Sequence, residues 1–236
     1  MSRPAHTVRA AADVAPSQAA GHGSHDATNG DRETRERLLK AAQQLFAGRG
    51  FKDVTVREIC HAARANVAAI NYHFGDKLGL YRETMRIAID AMRDATDAAR
   101  SAGAGLSADD QLRSYIGLFL HRLLTPGAEF VHQLINREIA EPTPALDDLV
   151  EQGLRPRLEY LSGVIARIIG CDAADPRVLR SVLSVQAQTI VYARPNAIAE
   201  RLGFTFKPTP AQIDEAARHI ADFSIAGIRT IAKPRA

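Results

Sequence analysis

Two cysteines in 236 residues, Cys60 and Cys171, stand too far apart in the chain to suggest a disulfide framework. That usage fits a reduced, cytoplasmic protein. No apolar run approaches the roughly 18 residues that a membrane span needs, and residues 1–33 lack the hydrophobic stretch of a signal peptide. No membrane partner is expected. Catalytic signatures are missing as well: there is no G-x-S-x-G elbow, phosphate-cradling P-loop or H-E-x-x-H. The eight histidines are scattered, with His22 and His25 in the leader and His121 and His132 separated by a Pro-Gly break, so none shows metal-ligand spacing. The expectation is a chain without catalytic residues, metal or cofactor. Strand alternation is absent too, which leaves an all-α fold. An apolar content of 46% over this length supplies one small domain and one larger.

What is present concentrates in residues 55–77, TVREICHAARANVAAINYHFGDK. Thr55 and Glu58 have the spacing of a capping box, and Val54 with Ile59 that of a hydrophobic staple. A short helix is therefore predicted over Val56–Ala63. Arg64 and Ala65 make a turn, and Asn66 caps a second helix, Val67–Phe74, with Ile70 and Phe74 facing inward. Asn66, Val67, Ala68, Asn71, Tyr72 and His73 are left to look outward, and Lys77 follows at once. Upstream, Leu38, Leu39, Ala42, Leu45 and Phe46 predict a helix over Arg35–Arg49 that ends at Gly50, with Phe51 packing back. These three helices make a unit too small to be very stable alone, so it should lean on the helices C-terminal to it.

Two helices joined by a tight turn form either a plain αα-hairpin or a helix-turn-helix whose second helix enters the DNA major groove. Spacing does not separate them, but charge does. Residues 34–86 hold ten Lys/Arg against five Asp/Glu, whereas 1–33 hold three against four and 87–236 seventeen against eighteen. The positive excess sits on the motif, as phosphate binding requires.

The stretch RERLLKAAQQLFAGRGFKDVTVREICHAARANVAAINYHFGDKLGLY resembles the N-terminal domain of the TetR family of bacterial transcriptional regulators, over about residues 33–90. The resemblance implies a homodimeric repressor that binds a palindromic, double-stranded DNA operator and is released by a small molecule held in an all-α C-terminal domain. It places Thr55 and Lys77 at phosphates, Arg57 within reach of a base edge, and the outward residues of 66–73 on the recognition helix. Two departures stand out. Arg64 occupies a turn position that usually carries Gly, at a cost on the order of 1 kcal/mol if the backbone there is left-handed; a phosphate contact would offset it. Asn71 stands where many members have Tyr, and Asn can read adenine bidentately.

Beyond the motif, 78–99 reads as one long helix linking head and body. Ser107, Thr143-Pro144, Asp175-Pro176 and Thr209-Pro210 mark further helix starts. One apolar stripe runs from Leu146 through Leu158 to Ile168, with Pro156 inside it predicting a kink. The expected division is a disordered arm over 1–32, a DNA-binding head over 33–90 and a helical body over 91–236. In the last helix Ile213, Ala216, Ala217, Ile220, Phe223, Gly227 and Ile231 recur at helical spacing and, with helix 176–191, suggest a dimer seam on the family pattern. The segment FVHQLINREIAEPTPALDDLVEQGLRPRLEYL resembles the TetR subgroup with a CecR/CerR-type C-terminal domain. For an effector pocket of the family kind, the polar and aromatic candidates are Tyr115, Phe119, His121, His132, Arg137, Gln186, Gln188 and Tyr192. The competing function is a helical interaction protein, or an enzyme body carrying an accessory DNA-binding head.

Overall fold

A computed structural model describes residues 23–125, 129–192, 201–203, 206 and 208–232. Among these residues the regular structure is entirely helical. The head contains α1 (Gly23–Arg49), α2 (Val56–Ala63) and α3 (Val67–Phe74), and α4 (Lys77–Ala102) leaves it. The body adds α5 (Ala108–Leu124), α6 (Glu129–Ala140), one turn α7 (Leu146–Asp148), α8 (Arg155–Ile169), α9 (Pro176–Val191) and α10 (Pro210–Ala232).

Both helices of the motif match their expected bounds, but α1 does not: it begins at Gly23 instead of Arg35. Residues 23–32 are thus helical, where composition suggested part of a disordered arm; residues 1–22 lie outside the described residues. A helix already anchored by its apolar face extends without a new nucleation cost. Arg32 pairs with Glu36 at 3.1 Å, and the Thr34 hydroxyl donates to the Gly30 carbonyl at 2.8 Å along the extension.

Two apolar cores hold the molecule. In the first, Leu38, Ala42 and Phe46 of α1 meet Ile59, Ile70 and, from α4, Leu80, Tyr81 and Met85. Leu134 of α6 and Leu149 close it, so the head completes its core with residues of the body. The second joins Leu112, Ile116 and Leu120 of α5 to Leu161, Val164 and Ile165 of α8, Val182 of α9 and Ile220 of α10. α4 runs unbroken past the expected boundary at residue 90, with Met92 in the first core and Ala99 in the second.

Pro156 stands in the first turn of α8 rather than inside one regular α-helix. A π-helical segment, Leu149–Leu154, precedes α8, and the Arg155 amide reaches back to the Val150 carbonyl. The wider turn lets Pro156 enter α8 near its first position, where a missing N–H costs little. Thr143 also differs from expectation: α7 is capped by no side chain. Instead the Thr143 amide and hydroxyl donate to Glu138 at 2.7 and 3.0 Å. On α10, Ile213, Ala216, Ala217 and Ile220 are buried in the body core, leaving Phe223, Gly227 and Ile231 of the expected seam on the outside.

Candidate nucleic-acid interface and effector cavity

The motif is built by local hydrogen bonds. The Thr55 hydroxyl accepts from the Glu58 amide at 3.3 Å, and Glu58 takes the Thr55 amide at 2.7 Å, so the capping box is closed. Arg49 reaches Glu58 at 2.7 Å, and its hydrogen bond, with those of Thr55, draws the Glu58 carboxyl down to about 2. At the end of α2 the chain turns through Arg64 at φ 51° and ψ 49°, which is left-handed. The Ala65 amide then donates to the Cys60 carbonyl at 2.9 Å, closing a Schellman turn. Arg37 of α1 ties this corner down by donating to the Ala63 carbonyl at 3.2 Å. Asn66 caps α3 by accepting from the Ala69 amide at 2.9 Å. Gly79 lets α4 start close to the end of α3, since a Cβ there would lie 1.9 Å from the Phe74 carbonyl oxygen.

Ile70 is buried, and Val67, Ala68, Asn71 and Tyr72 form the exposed stripe of α3, with Tyr72 76% exposed. Asn66 is exposed at its head. His73 is not on this stripe. Its side chain is only 7% exposed, with Nε2 3.4 Å from Asp31 in the extended part of α1. That inward position corrects the expectation that it reads DNA. Thr55 and Arg57 are exposed beside α3. Arg57 and Arg64 have no carboxylate partner among the described residues, whereas Arg35, Arg49, Lys52 and Arg86 are all paired. Lys77 Nζ lies 4.3 Å from the centre of the Phe51 ring. Partial burial there pulls its ammonium below the ordinary lysine range, with Asp53 and Glu58 opposing the shift.

The body contains a cavity of about 170 Å³ among α4, α5, α6, α8 and α9. Met92, Val131, Ile135, Leu154 and Ile190 make it apolar, and His132, Asn136, Arg122 and Arg157 add polar groups. Of the candidates from sequence, Phe119 and His132 line it. Tyr115 stacks on Phe119 but is buried in the core, accepting from Gln186 Nε2 at 2.8 Å. Burial pushes its hydroxyl up, and the nearby Arg157 charge pulls the other way. His121 faces outward against Asp214 at 2.6 Å, and Arg137 points away from the cavity to the Gly48 carbonyl at 2.8 Å. Gln188 bonds Ser224 at 3.2 Å between α9 and α10, and Tyr192 meets Phe206 edge-on. Tyr115, His121, Arg137, Gln186, Gln188 and Tyr192 were expected in the pocket and do not line it.

Arg122, Asn136 and Arg157 are the polar lining that sequence reasoning missed. An Arg lacking any acid at i±3 or i±4 is a weak signal, and Arg122 carried it. A second omission is the buried joint between α4 and α6. The Tyr81 hydroxyl donates to Glu138 at 2.6 Å, and Glu138 is fully buried. α6 therefore has two working faces. Val131, His132, Ile135, Asn136 and Ile139 turn to the cavity, while Leu134, Arg137 and Glu138 grip the head.

Known proteins share this fold. Residues 38–84 match the family model for bacterial regulatory proteins of the tetR family. Residues 108–228 match that for the C-terminal domain of the HTH-type transcriptional dual regulator CecR. The CecR protein of Shigella flexneri is 30% identical over 158 residues, covering 62% of this chain and 70% of the relative. Among solved structures, a TetR-family transcriptional regulator from Streptomyces coelicolor superposes with a TM-score of 0.59 at 20% identity, covering 84% of this chain and 97% of its own. AibR, solved with isovaleryl coenzyme A and operator DNA, superposes at 0.62 with 14% identity, covering 80% and 97%.

Proposed function

Because the chain belongs to the TetR family of bacterial regulatory proteins, with a C-terminal domain of the CecR type, we propose that it binds a palindromic operator as a homodimer. A small molecule filling the body cavity then releases it. The observation that carries this reading is the exposed stripe Val67, Ala68, Asn71 and Tyr72, flanked by Arg57 and Arg64, which have no carboxylate partner among the described residues, on a head with a positive excess. Asn71 pairs with adenine through N6 and N7, and Val67 and Ala68 meet thymine methyls. Tyr72 and Arg57 reach neighbouring base edges, and Asn66 stands at the helix start nearest the groove. Thr55, Arg64 and Lys77 bind phosphates, Lys77 by leaving the Phe51 ring.

Dimerisation uses the outer faces of α9 and α10. Leu179, Leu183, Phe223 and Ile231 are each between 45% and 66% exposed there, an apolar surface that a second copy would cover. Release runs through α6, whose cavity face and head face lie on one rigid helix. AibR, solved with both a ligand and operator DNA, supports this division of labour by its fold. The protein acts in the cytoplasm, as a repressor where its operator overlaps a promoter.

The test is binding to the DNA upstream of its own gene, measured by fluorescence anisotropy between roughly 50 and 200 mM salt. Several neutralised phosphates per head predict a loss of about 10³-fold or more across that range. Salt-insensitive binding, or none to any promoter fragment, would favour the interaction-protein alternative.

A further inference from the structure

We infer that the body cavity takes a small amphipathic anion, a carboxylate or phosphoryl monoester on an apolar chain of about six to eight carbons, with Arg157 as its anchor. The inference rests on reading the cavity as the effector site and adds the chemistry of the ligand.

Arg157 lies on the cavity wall with its Cζ 5.1 Å from the centre of the Phe119 ring. A guanidinium stacked on an aromatic face keeps its N–H edge free for an acceptor in its own plane. That edge is unused: Arg157 Nε is buried without a hydrogen-bond partner, and Arg157 forms no ion pair among the described residues. A buried donor in that condition carries its full desolvation cost until something accepts from it. Arg122, exposed at the same cavity, is likewise outside every ion pair among the described residues. No Asp or Glu is among the described residues that line the space. Two uncompensated cations in an apolar chamber select against cationic ligands and for anions, and the planar fork suits a carboxylate or phosphate bidentately. Size sets the rest, since about 170 Å³ is slightly more than the ~150 Å³ that holds a benzene ring.

The test titrates the full-length protein calorimetrically with four ligands that share one tail: octanoate, octyl phosphate, octan-1-ol and octylammonium. At least one anion should bind about tenfold or more tighter than the alcohol, and octylammonium should not bind. The ratio of octanoate to octyl phosphate identifies the headgroup. Arg157→Gln should abolish the preference for the anion over the alcohol, and Arg157→Lys should keep part of it. Arg122→Gln, at an exposed position that leaves the fold intact, should reduce it by a smaller factor. An alcohol that binds as tightly as both anions, a preference that survives both Gln variants, or no binding by any of the four overturns the inference. Operator anisotropy in the same samples separates it from the functional reading. Anion binding that depends on Arg157 but leaves DNA affinity unchanged refutes release by ligand and keeps the anion site. Release by an anion that ignores Arg157 does the reverse.

Discussion

Arg64→Gly should move stability and DNA affinity in opposite directions, which makes it a sharp test of why a bulky residue sits in the turn. Arg64 has the only positive φ of any non-glycine among the described residues, at φ 51° and ψ 49°. The left-handed region costs an L-residue about 1–2 kcal/mol. Glycine removes that strain but raises the entropy of the unfolded chain by about 0.4–1 kcal/mol. The Arg64 side chain makes no hydrogen bond or ion pair among the described residues, so no contact is lost within the protein. The balance is a gain of roughly 0.5–1 kcal/mol, or a melting temperature higher by about 1–4 °C for a chain of this size. On DNA the sign reverses. If each Arg64 neutralises one phosphate, the variant dimer loses two, and the log–log salt slope falls by about 2. Urea denaturation and anisotropy titrations across a salt series measure both quantities. A variant less stable than the parent refutes the strain account. One that binds operator with unchanged affinity and slope refutes the phosphate account.

Gly79→Ala should destabilise the chain by about 2 kcal/mol or more, because its Cβ would stand 1.9 Å from a backbone oxygen; an unchanged urea midpoint would show that α3 and α4 separate freely. Arg86 and then Arg35 hold the Glu83 carboxyl at about 2. A depressed folded value stabilises above the ordinary carboxylate range and loses that stability as pH falls toward 2. With Arg35 and Arg86 39% and 57% exposed, solvent screening keeps the contribution to about 1–2 kcal/mol. Glu83→Gln should therefore flatten the acid limb of stability between about pH 5 and 2, and an equally steep limb would assign that titration elsewhere. Phe223→Asp, on the outer face of α10, should shift the protein from dimer to monomer in sedimentation and weaken operator binding at least tenfold; a variant still dimeric would place the interface on another surface.

The head was legible because its signals are local. Thr55 with Glu58, and Asn66 with Ala69, settle two helix starts within four residues each, and the structure follows both. His73 escaped this logic because its partner Asp31 belongs to a stretch whose Gly and Ser content suggested no helix at all. The cavity was less legible for a geometric reason. Extending one 3.6-residue stripe from Leu146 to Ile168 assumes constant phase, but the π-helical Leu149–Leu154 inserts an extra residue just before α8, so the first turn of α8 leaves the stripe while Leu161, Val164 and Ile165 stay buried. Leu158, counted on the stripe, is 37% exposed, while its neighbour Arg157 faces the cavity. The polar candidates suffered the same loss of information. Their helices were right, but which face of each helix met its neighbour depends on tertiary packing, so Tyr115 went to the core, His121 and Arg137 to other partners.

That helix phase bears directly on how a ligand signal would travel. The cavity face of α6 and its head face lie on different sides of one helix, with no loop between them. A displacement of Ile135 or Asn136 is therefore passed to Leu134, Arg137 and Glu138 as a rigid rotation or shift. The head face resists such a shift at two polar points, the Arg137 bond to the Gly48 carbonyl and the Tyr81–Glu138 bond. The second is the more demanding. A fully buried carboxyl group whose donors come from Tyr81 and Thr143 cannot lose one without leaving a buried acceptor unsatisfied, at about 1–3 kcal/mol. Ligand binding would move α4 and α6 together more readily than it would part them. α4 also carries Lys77 and Gly79 at its start, beside the recognition helix. Motion of the pair would tilt α3 against the groove while the core of the head stays intact.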